Sequence, residues 1–143
     1  MALMRRWLID TGPMIAYLDA EDPAHAAVSA CLDSFRGRLL TTEAVIVEAM
    51  HFLSVAKEGP ALLAEFVETS QMRVFPCCRA GQLSMAAVIM TKYADTPMDF
   101  ADATLVLLAD AIGILEIVTL DRRGFSTYRT SHGKPFRRVL DLR

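Results

Sequence analysis

The sequence predicts an α/β fold, a three-layer α/β/α sandwich with a mostly parallel central sheet. Short apolar runs alternate with longer segments of helical periodicity, which is the order typical of a parallel sheet covered by helices. Two of the apolar runs also end in a carboxylate, Asp10 after residues 7–9 and Asp121 after residues 117–120. Because open α/β sheets bind ligands at the carboxyl ends of their strands, we expect a site at that edge.

The individual elements are predicted from apolar periodicity and from residues that begin or end helices. Gly12-Pro13 turns the first strand into a helix, and Asp22-Pro23 begins the next because aspartate caps helices and proline suits their first turn. Strands are predicted at residues 7–10, 39–42, 72–75 and 116–120, with a candidate edge strand at 139–142. Helices are predicted at residues 13–18, 22 to the break at Gly37, 43–56, 59–70, 79–93 and 99–112.

Length and composition favour one domain, residues 1–143, without a membrane segment. A hydrophobic share of 53% excludes disorder, yet the apolar runs are far shorter than the ~18 residues of a membrane span. The chain does not begin with the apolar stretch of a signal peptide. The three cysteines fit neither a disulfide framework nor a metal-ligand spacing, so we expect reduced thiols and a cytoplasmic protein.

Charge is unevenly distributed, although the net charge is only −2. Residues 122–143 hold seven of the fifteen basic residues and one of the seventeen acids, which leaves eight bases and sixteen acids elsewhere. A basic end on an acidic body suits a protein that holds a polyanionic substrate beside an acidic metal site. A solvated terminus that aids solubility is an equally weighted alternative.

Lone carboxylates lie in segments that are otherwise apolar enough to be buried. Glu48 lies on an apolar helix face, where a glutamate is rarely buried unless it is paired or bound to a metal. Asp99 and Asp102 share one helix face at a spacing of three. Each aspartate also has a structural alternative. Asp10, beside the turn that opens a helix, and Asp121, before a short turn, would cap backbone N–H groups, and the other two would form a capping box.

Several carboxylates in one pocket would indicate a bound cation. Two like charges about 4 Å apart repel by roughly 1–4 kcal/mol, and a domain has only about 5–15 kcal/mol of net stability. A divalent ion removes the conflict, and oxygen ligands without Cys or His favour Mg²⁺ or Mn²⁺. Phosphoryl chemistry uses such sites, so we hypothesise a metal-dependent enzyme that acts on phosphate esters.

Four short blocks resemble those of PIN-domain ribonucleases, and most closely the VapC-type toxins of toxin–antitoxin pairs. They are residues 8–11, the helix around Glu48, residues 102–105 and residues 119–121. Their order and spacing match along nearly the whole chain. The resemblance implies the three-layer sandwich, a homodimer, hydrolysis of RNA phosphodiester bonds and a cognate antitoxin protein that neutralises the toxin.

The resemblance also implies roles for single residues. The acids that would bind one or two Mg²⁺ or Mn²⁺ ions and carry catalysis are Asp10, Glu48, Asp102 and Asp121. Asp99 is expected as an auxiliary acid, and Thr11 would add its hydroxyl. Gly12 stands where the family often has serine, so a hydroxyl is missing there. Arg122 and Arg123, next to the acids, are expected to hold RNA phosphates; ordinary surface arginines are the alternative.

Alternative functions remain open from the sequence. A PIN-like module that only binds RNA or protein would not need four acids, whereas a metal-dependent DNA nuclease or phosphatase would need the same ones. RNA and DNA are not separated, because their discrimination depends on the 2′-OH and on substrate shape. A phosphorylated receiver domain fits poorly, since the acid expected after its central strand is missing at Phe75-Pro76.

Overall fold

The structure, a computed structural model, describes residues 4–142 of the chain and the side chains of residues 4–141. Within this range, one parallel sheet has the strand order β3-β2-β1-β4-β5. The strands are β1 (Arg6–Ile9), β2 (Arg38–Thr42), β3 (Arg73–Phe75), β4 (Glu116–Val118) and β5 (Arg137–Arg138). The helices are α1 (Thr11–Leu18), α2 (His25–Asp33), α3 (Glu43–Leu53), α4 (Gly59–Thr69), α5 (Ala80–Lys92), α6 (Phe100–Ile112) and α7 (Arg122–Thr127). The predicted fold class is confirmed.

The central strands are apolar on both faces because helices cover both. On one face, Trp7 of β1 stacks on Phe35, which follows α2, with ring centroids 3.8 Å apart. On the opposite face, Leu40 of β2 is buried. Thr42 lies on the same face, because every second residue of a strand points to the same side of the sheet. The Thr42 hydroxyl lies 2.8 Å from that of Thr104 in α6. The sheet is thus the middle layer of the sandwich.

The order of the strands places a switch point between β1 and β4. The chain moves outward from β1 to β2 and β3, and then returns to the other side of β1 with β4. Helix α1 begins directly after β1, and α7 begins soon after β4. The carboxyl ends of two neighbouring central strands therefore open at one place, where ligands of open α/β sheets bind.

The predicted edge strand at residues 139–142 is wrong. These residues form a 3₁₀ helix, and the edge strand is the preceding pair, Arg137–Arg138. An ion pair between Arg138 and Asp141, three residues apart, spans the turn. This contact favours a tight turn over an extended strand.

Several helices also differ from the prediction, and α1 begins at Thr11 rather than at residue 13. Helix α2 begins at His25 rather than Asp22, because Asp22 accepts a hydrogen bond from the Ala24 amide (2.8 Å) and first closes a turn. Helix α7 follows Asp121, where the sequence predicted only a turn. Among the helices of residues 4–142, none combines the length and the apolarity needed to cross a membrane.

Candidate active site

Asp10 lies at the carboxyl end of β1, in the middle of the sheet. Its amide donates to the Val118 carbonyl of β4 (3.0 Å), which continues the ladder between the two strands. Its Oδ1 accepts a hydrogen bond from the Thr11 amide (2.8 Å) and caps α1. Only 8% of the residue is exposed. Asp10 is therefore a helix cap, as the structural alternative predicted, and it also occupies the switch point.

Thr119 connects two of the predicted acids, and the sequence analysis gave it no role. Its hydroxyl donates to Asp10 Oδ2 (2.9 Å) and accepts a hydrogen bond from the Asp121 amide (3.0 Å). The residue is buried, so this chain of hydrogen bonds is shielded from water. A threonine two positions before a strand-end aspartate is a signal that the sequence offered.

Asp121 caps α7 in the way that Asp10 caps α1. Its Oδ1 accepts a hydrogen bond from the Gly124 amide (2.9 Å). Gly124 has no room for a side chain, because an added Cβ would lie 2.2 Å from Asp121 Oδ2 and 2.9 Å from Tyr128 Cε2. The short helix and its glycine therefore fix the orientation of the Asp121 carboxylate.

Asp99 and Asp102 form the capping box that begins α6. The Asp102 amide donates to Asp99 Oδ1 (2.8 Å), and the Asp99 amide donates to Asp102 Oδ2 (3.1 Å). The structural alternative is confirmed for this pair. This capping box does not exclude a site. The Asp99 charge raises the pKa of Asp10, and the charges of Asp10 and Asp99 raise the pKa of Asp102, so these groups lie in the same pocket.

Glu48 approaches the same pocket from α3, where it is half-buried. Burial raises its pKa, and the nearby Asp99 charge raises it further, while the Thr11 hydroxyl lowers it in part. Thr11 Oγ1 is itself buried and, among the described residues, makes no hydrogen bond of normal geometry. This oxygen is a donor atom that a ligand of the pocket can use.

The acids of the pocket raise one another's pKa. Burial raises the pKa of Asp10 from 3.8 to about 6, against the effect of its hydrogen bonds, and the charges of Asp99 and Glu48 add to the rise. For Asp102, burial followed by the charges of Asp10 and Asp99 raises the pKa from 3.8 to about 8. A cation placed among these groups would favour their charged forms.

The donor set fits a hard divalent cation in chemistry, because it consists of carboxylate and hydroxyl oxygens. Within residues 4–142, however, no group of three or more His, Cys, Asp or Glu side chains is arranged to hold an ion as it stands. Capping hydrogen bonds occupy oxygens of Asp10, Asp99, Asp102 and Asp121. Ion binding therefore stays a prediction.

Tyr128 is a second residue of the pocket that the sequence analysis missed. Its ring is buried, and its hydroxyl donates to the Pro97 carbonyl (3.0 Å). Burial raises its pKa, and the charges of Asp102 and Asp121 raise it further, so the phenol stays protonated beside the acids. Its sequence position gave no signal, because it follows a helix that was not predicted.

Arg122 and Arg123 begin α7, next to Asp121, and both are exposed. Arg122 Nε lies 3.8 Å from Asp141 Oδ1, and Arg123 Nη2 donates weakly to the Asp95 carbonyl (3.4 Å). Exposed contacts of this kind contribute little to stability. Both guanidinium groups therefore remain able to bind an anion near the acids.

Three further bases of the predicted basic end make contacts elsewhere in the fold, and Arg143 lies outside the described residues. Arg129 donates to the carbonyls of residues 126–128 at the end of α7. Arg137 pairs with Glu116 (3.6 Å), and Arg138 pairs with Asp141. These residues serve the fold, or lie at the start of β5 rather than at the carboxyl ends of the strands.

Known proteins are similar to this chain in fold and in sequence. The family model described as PIN domain matches residues 7–130. The chain is 38% identical over 130 residues to Ribonuclease VapC26 of Mycobacterium tuberculosis (strain ATCC 25618 / H37Rv), which covers 90% of this chain and 96% of that protein. The crystal structure of Mycobacterium tuberculosis VapC20, described as a sarcin-ricin loop cleaving toxin, matches with a TM-score of 0.73 at 20% identity, over 84% of this chain and 92% of that one. The chain belongs to the PIN-domain family and, within it, to the VapC-type proteins.

Proposed function

We propose that this protein is an RNA-cleaving hydrolase and the toxin of a toxin–antitoxin pair. The observation that carries the proposal is the assembly of acids from distant segments at the switch point of the sheet. The 38% identity to a VapC-type ribonuclease supports RNA as the substrate. A module that only binds RNA has no use for buried aspartates whose charged forms are disfavoured.

The proposed enzyme depends on one or two Mg²⁺ or Mn²⁺ ions. Asp10, Glu48 and Asp102 would hold the principal ion, with Asp121 bound directly or through water, Asp99 as an auxiliary acid and Thr11 as a hydroxyl donor. When bound, such an ion orients the phosphate, lowers the pKa of a water molecule and stabilises the leaving oxygen. The raised pKa values support this assignment, because they mark carboxylates that lack a countercharge.

The chain's own residues hold the acids in position for this chemistry. Thr119 binds Asp10 Oδ2 and thereby orients a carboxylate whose other oxygen is occupied by the Thr11 amide. The Gly124 amide orients the Asp121 carboxylate in a similar way, by donating a hydrogen bond to its Oδ1. Exposed Arg122 and Arg123, beside the acids, are proposed to bind phosphates of the RNA on either side of the scissile bond, as bidentate donors.

Two protein partners are also proposed. A cognate antitoxin would neutralise the toxin, as family membership suggests. A second copy of the chain would form a homodimer, and the exposed apolar side chains on α3 and α5 support this. Val47 of α3 and Val88 of α5 are each 68% exposed, and contacts with a partner would remove such side chains from water.

Cleavage of RNA in the presence of Mg²⁺ tests the proposed function. We expect the purified chain to produce defined new 5′ ends in total cellular RNA, mapped by sequencing, and EDTA to abolish them. Asp10→Asn should lower the cleavage rate about 100-fold or more, as loss of one electrostatic contribution to a transition state does. Asparagine keeps the shape and hydrogen-bonding oxygen of the side chain, so circular dichroism should show an unchanged fold.

Glu65→Gln provides the matched control, because Glu65 is an exposed acid of α4. It should cleave at the parent rate. Cleavage that persists in EDTA and in Asp10→Asn would contradict the proposal. Tight RNA binding without any cleavage would favour the silent binding module, and cleavage of DNA oligonucleotides alone would favour a DNA nuclease.

A further inference from the structure

Arginines line the edge of the sheet opposite the acids. Four of the five strands, β1, β2, β3 and β5, begin with an arginine, and β4 begins with Glu116. Arg5 directly precedes β1, and Arg36 stands two positions before the first residue of β2. We call this surface the amino edge, and its basic residues are Arg5, Arg6, Arg36, Arg38, Arg73 and Arg137. It lies about 13 Å from Asp10 along β1, at about 3.3 Å per residue.

The backbone forces some of these arginines together. Arg6 and Arg38 are register partners on neighbouring strands, so their side chains start about 4.8 Å apart on one face. The Arg38 amide also donates to the Arg5 carbonyl (2.9 Å). Gly37 permits this close approach, since a Cβ there would lie only 2.2 Å from the Arg5 oxygen. Like charges in directly opposite positions are destabilising.

Little negative charge compensates the amino edge. Arg137 pairs with Glu116 at 3.6 Å. The other ion pairs among the described residues involve Arg122 and Arg138, so the remaining five arginines of the amino edge have no acidic partner within 4 Å there. Four of these five are exposed, and Arg38 is half-buried. Their guanidinium groups are available to an anion.

A cavity beside the arginines offers further donors. Its volume is about 350 Å³, and its lining includes Arg5, Trp7, Arg36 and the ion pair of Arg137 with Glu116. The Arg5 guanidinium lies 5.4 Å from the centre of the Trp7 ring, and Phe35 also stacks on that ring. Trp7 is about nine-tenths buried, and its Nε1 has no hydrogen-bond partner among residues 4–142. An anion that enters here would meet positioned donors.

We infer that the amino edge binds the phosphodiester backbone of a nucleic acid, at a site separate from the acidic pocket. The row crosses four inter-strand spacings, or about 19 Å, which suits a polyanion better than a single small ion. Its bases are all arginine, and the guanidinium group binds phosphate in a bidentate manner. Lysine, which occurs elsewhere in the chain, is missing from it. The inference does not depend on RNA cleavage by the acidic pocket.

Salt-dependent binding of the purified chain tests the amino edge. The probes are a 20-nucleotide unstructured RNA and a 20-base-pair DNA, measured by fluorescence anisotropy in EDTA so that no cleavage occurs. The variant Arg6→Gln with Arg36→Gln removes two exposed charges outside the acidic pocket. We expect the slope of log K against log salt to become shallower by about 1.4 on RNA or about 1.8 on DNA. The probe that shows the change identifies the nucleic acid.

A control with the same change in charge is Lys57→Gln with Arg79→Gln, since both residues are exposed and lie away from the amino edge. Its slope should match that of the parent chain. Equal slopes for parent and amino-edge variant on both probes would overturn the inference. A poly-glutamate peptide is measured as a third probe. A change of slope confined to that peptide would also overturn the inference, because it would assign the edge to an acidic protein. Because cleavage is not measured, failure of this test is distinct from failure of the proposed function.

Discussion

Single carboxylates in this protein combine a structural and a chemical position. Asp10, Asp99 and Asp121 each cap a helix, and a cap normally stabilises a helix by about 0.5–2 kcal/mol. In Asp10 and Asp102, burial and neighbouring charge oppose ionisation. Residues of this kind stabilise the fold through their hydrogen bonds and destabilise it through their charges. A bound cation would remove the destabilising effect of the charges.

The pH dependence of stability follows from these raised pKa values. Folded Asp10 and Asp102 hold their protons up to about pH 6 and pH 8, whereas both lose them near 3.8 when unfolded. The folded chain therefore binds more protons between these limits, and the free energy of unfolding of the ion-free protein should fall as pH rises from about 4 to 8.

Asp102→Asn should remove much of the decrease in the free energy of unfolding between pH 4 and pH 8, because asparagine still accepts the capping hydrogen bond and carries no charge. In EDTA at pH 8 its melting temperature should exceed that of the parent chain by a few degrees, at about 2–4 °C per kcal/mol. At pH 4 the two should melt together. Glu65→Gln, at an exposed position, should show no such pH-dependent difference. A variant that melts lower at pH 8 would mean that the carboxylate is purely structural.

At the scale of elements, the starts of α1, α6 and α7 carry the candidate aspartates, whereas Glu48 comes from within α3. Each of these three helices begins directly after an aspartate cap, so the local geometry of a helix start also sets the direction of a carboxylate. Helix α7 is the most constrained, because Gly124 lies between the Asp121 carboxylate and the Tyr128 ring.

Gly124→Ala should therefore displace Asp121 and weaken cleavage. The added methyl would overlap Asp121 Oδ2 at 2.2 Å, so the cap must open at a cost of about 0.5–2 kcal/mol. We expect a lower melting temperature and a cleavage rate reduced at least about 10-fold, the effect of roughly 1.4 kcal/mol on a barrier.

Gly81→Ala is the matched control, since nothing lies within 4 Å of its added Cβ in α5. This substitution should be neutral or should stabilise the helix by about 0.5–1 kcal/mol. If Gly124→Ala behaved in the same way, the close packing around Asp121 would have no bearing on the reaction.

At the scale of the whole molecule, the sheet separates charge between its two edges. Acids gather at the carboxyl ends of β1 and β4, and arginines gather at the amino ends of four strands. A net charge of −2 hides this arrangement. Apolar side chains on α3 and α5 add a third kind of surface, which suits contact with a second copy of the chain.

The homodimer can be tested at that surface. Val47→Lys combined with Val88→Lys places charges on two side chains that are each 68% exposed, so the isolated chain should still fold. Analytical ultracentrifugation should show the parent at twice the mass of this variant. Leu62→Lys, on α4, is the control and should leave the mass unchanged. A parent chain that sediments as a monomer would contradict the proposal.

Much of the fold could be predicted from short stretches of the chain. Apolar runs, Gly-Pro turns and aspartate caps depend on neighbours within a few residues, so β1, β2 and α6 lie close to their predicted positions. Short-range signals were weakest near the C-terminus. There, pairing of Arg137 with β4 and the contact between Arg138 and Asp141 decided between strand and 3₁₀ helix.

The sequence by itself determined which residue types can form the candidate site, because lone acids in apolar segments need compensation wherever they fold. Only the tertiary structure decided which groups meet. The Thr119 hydroxyl donates a hydrogen bond to Asp10, which lies 109 positions earlier in the sequence. The pKa of Tyr128 is raised by acids at the starts of three helices, α1, α6 and α7. The arginines of the amino edge are likewise scattered from Arg5 to Arg137. The order of the strands brings such groups together. Local sequence does not reveal that order, because pairing between distant segments depends on burial and register summed over the whole sheet.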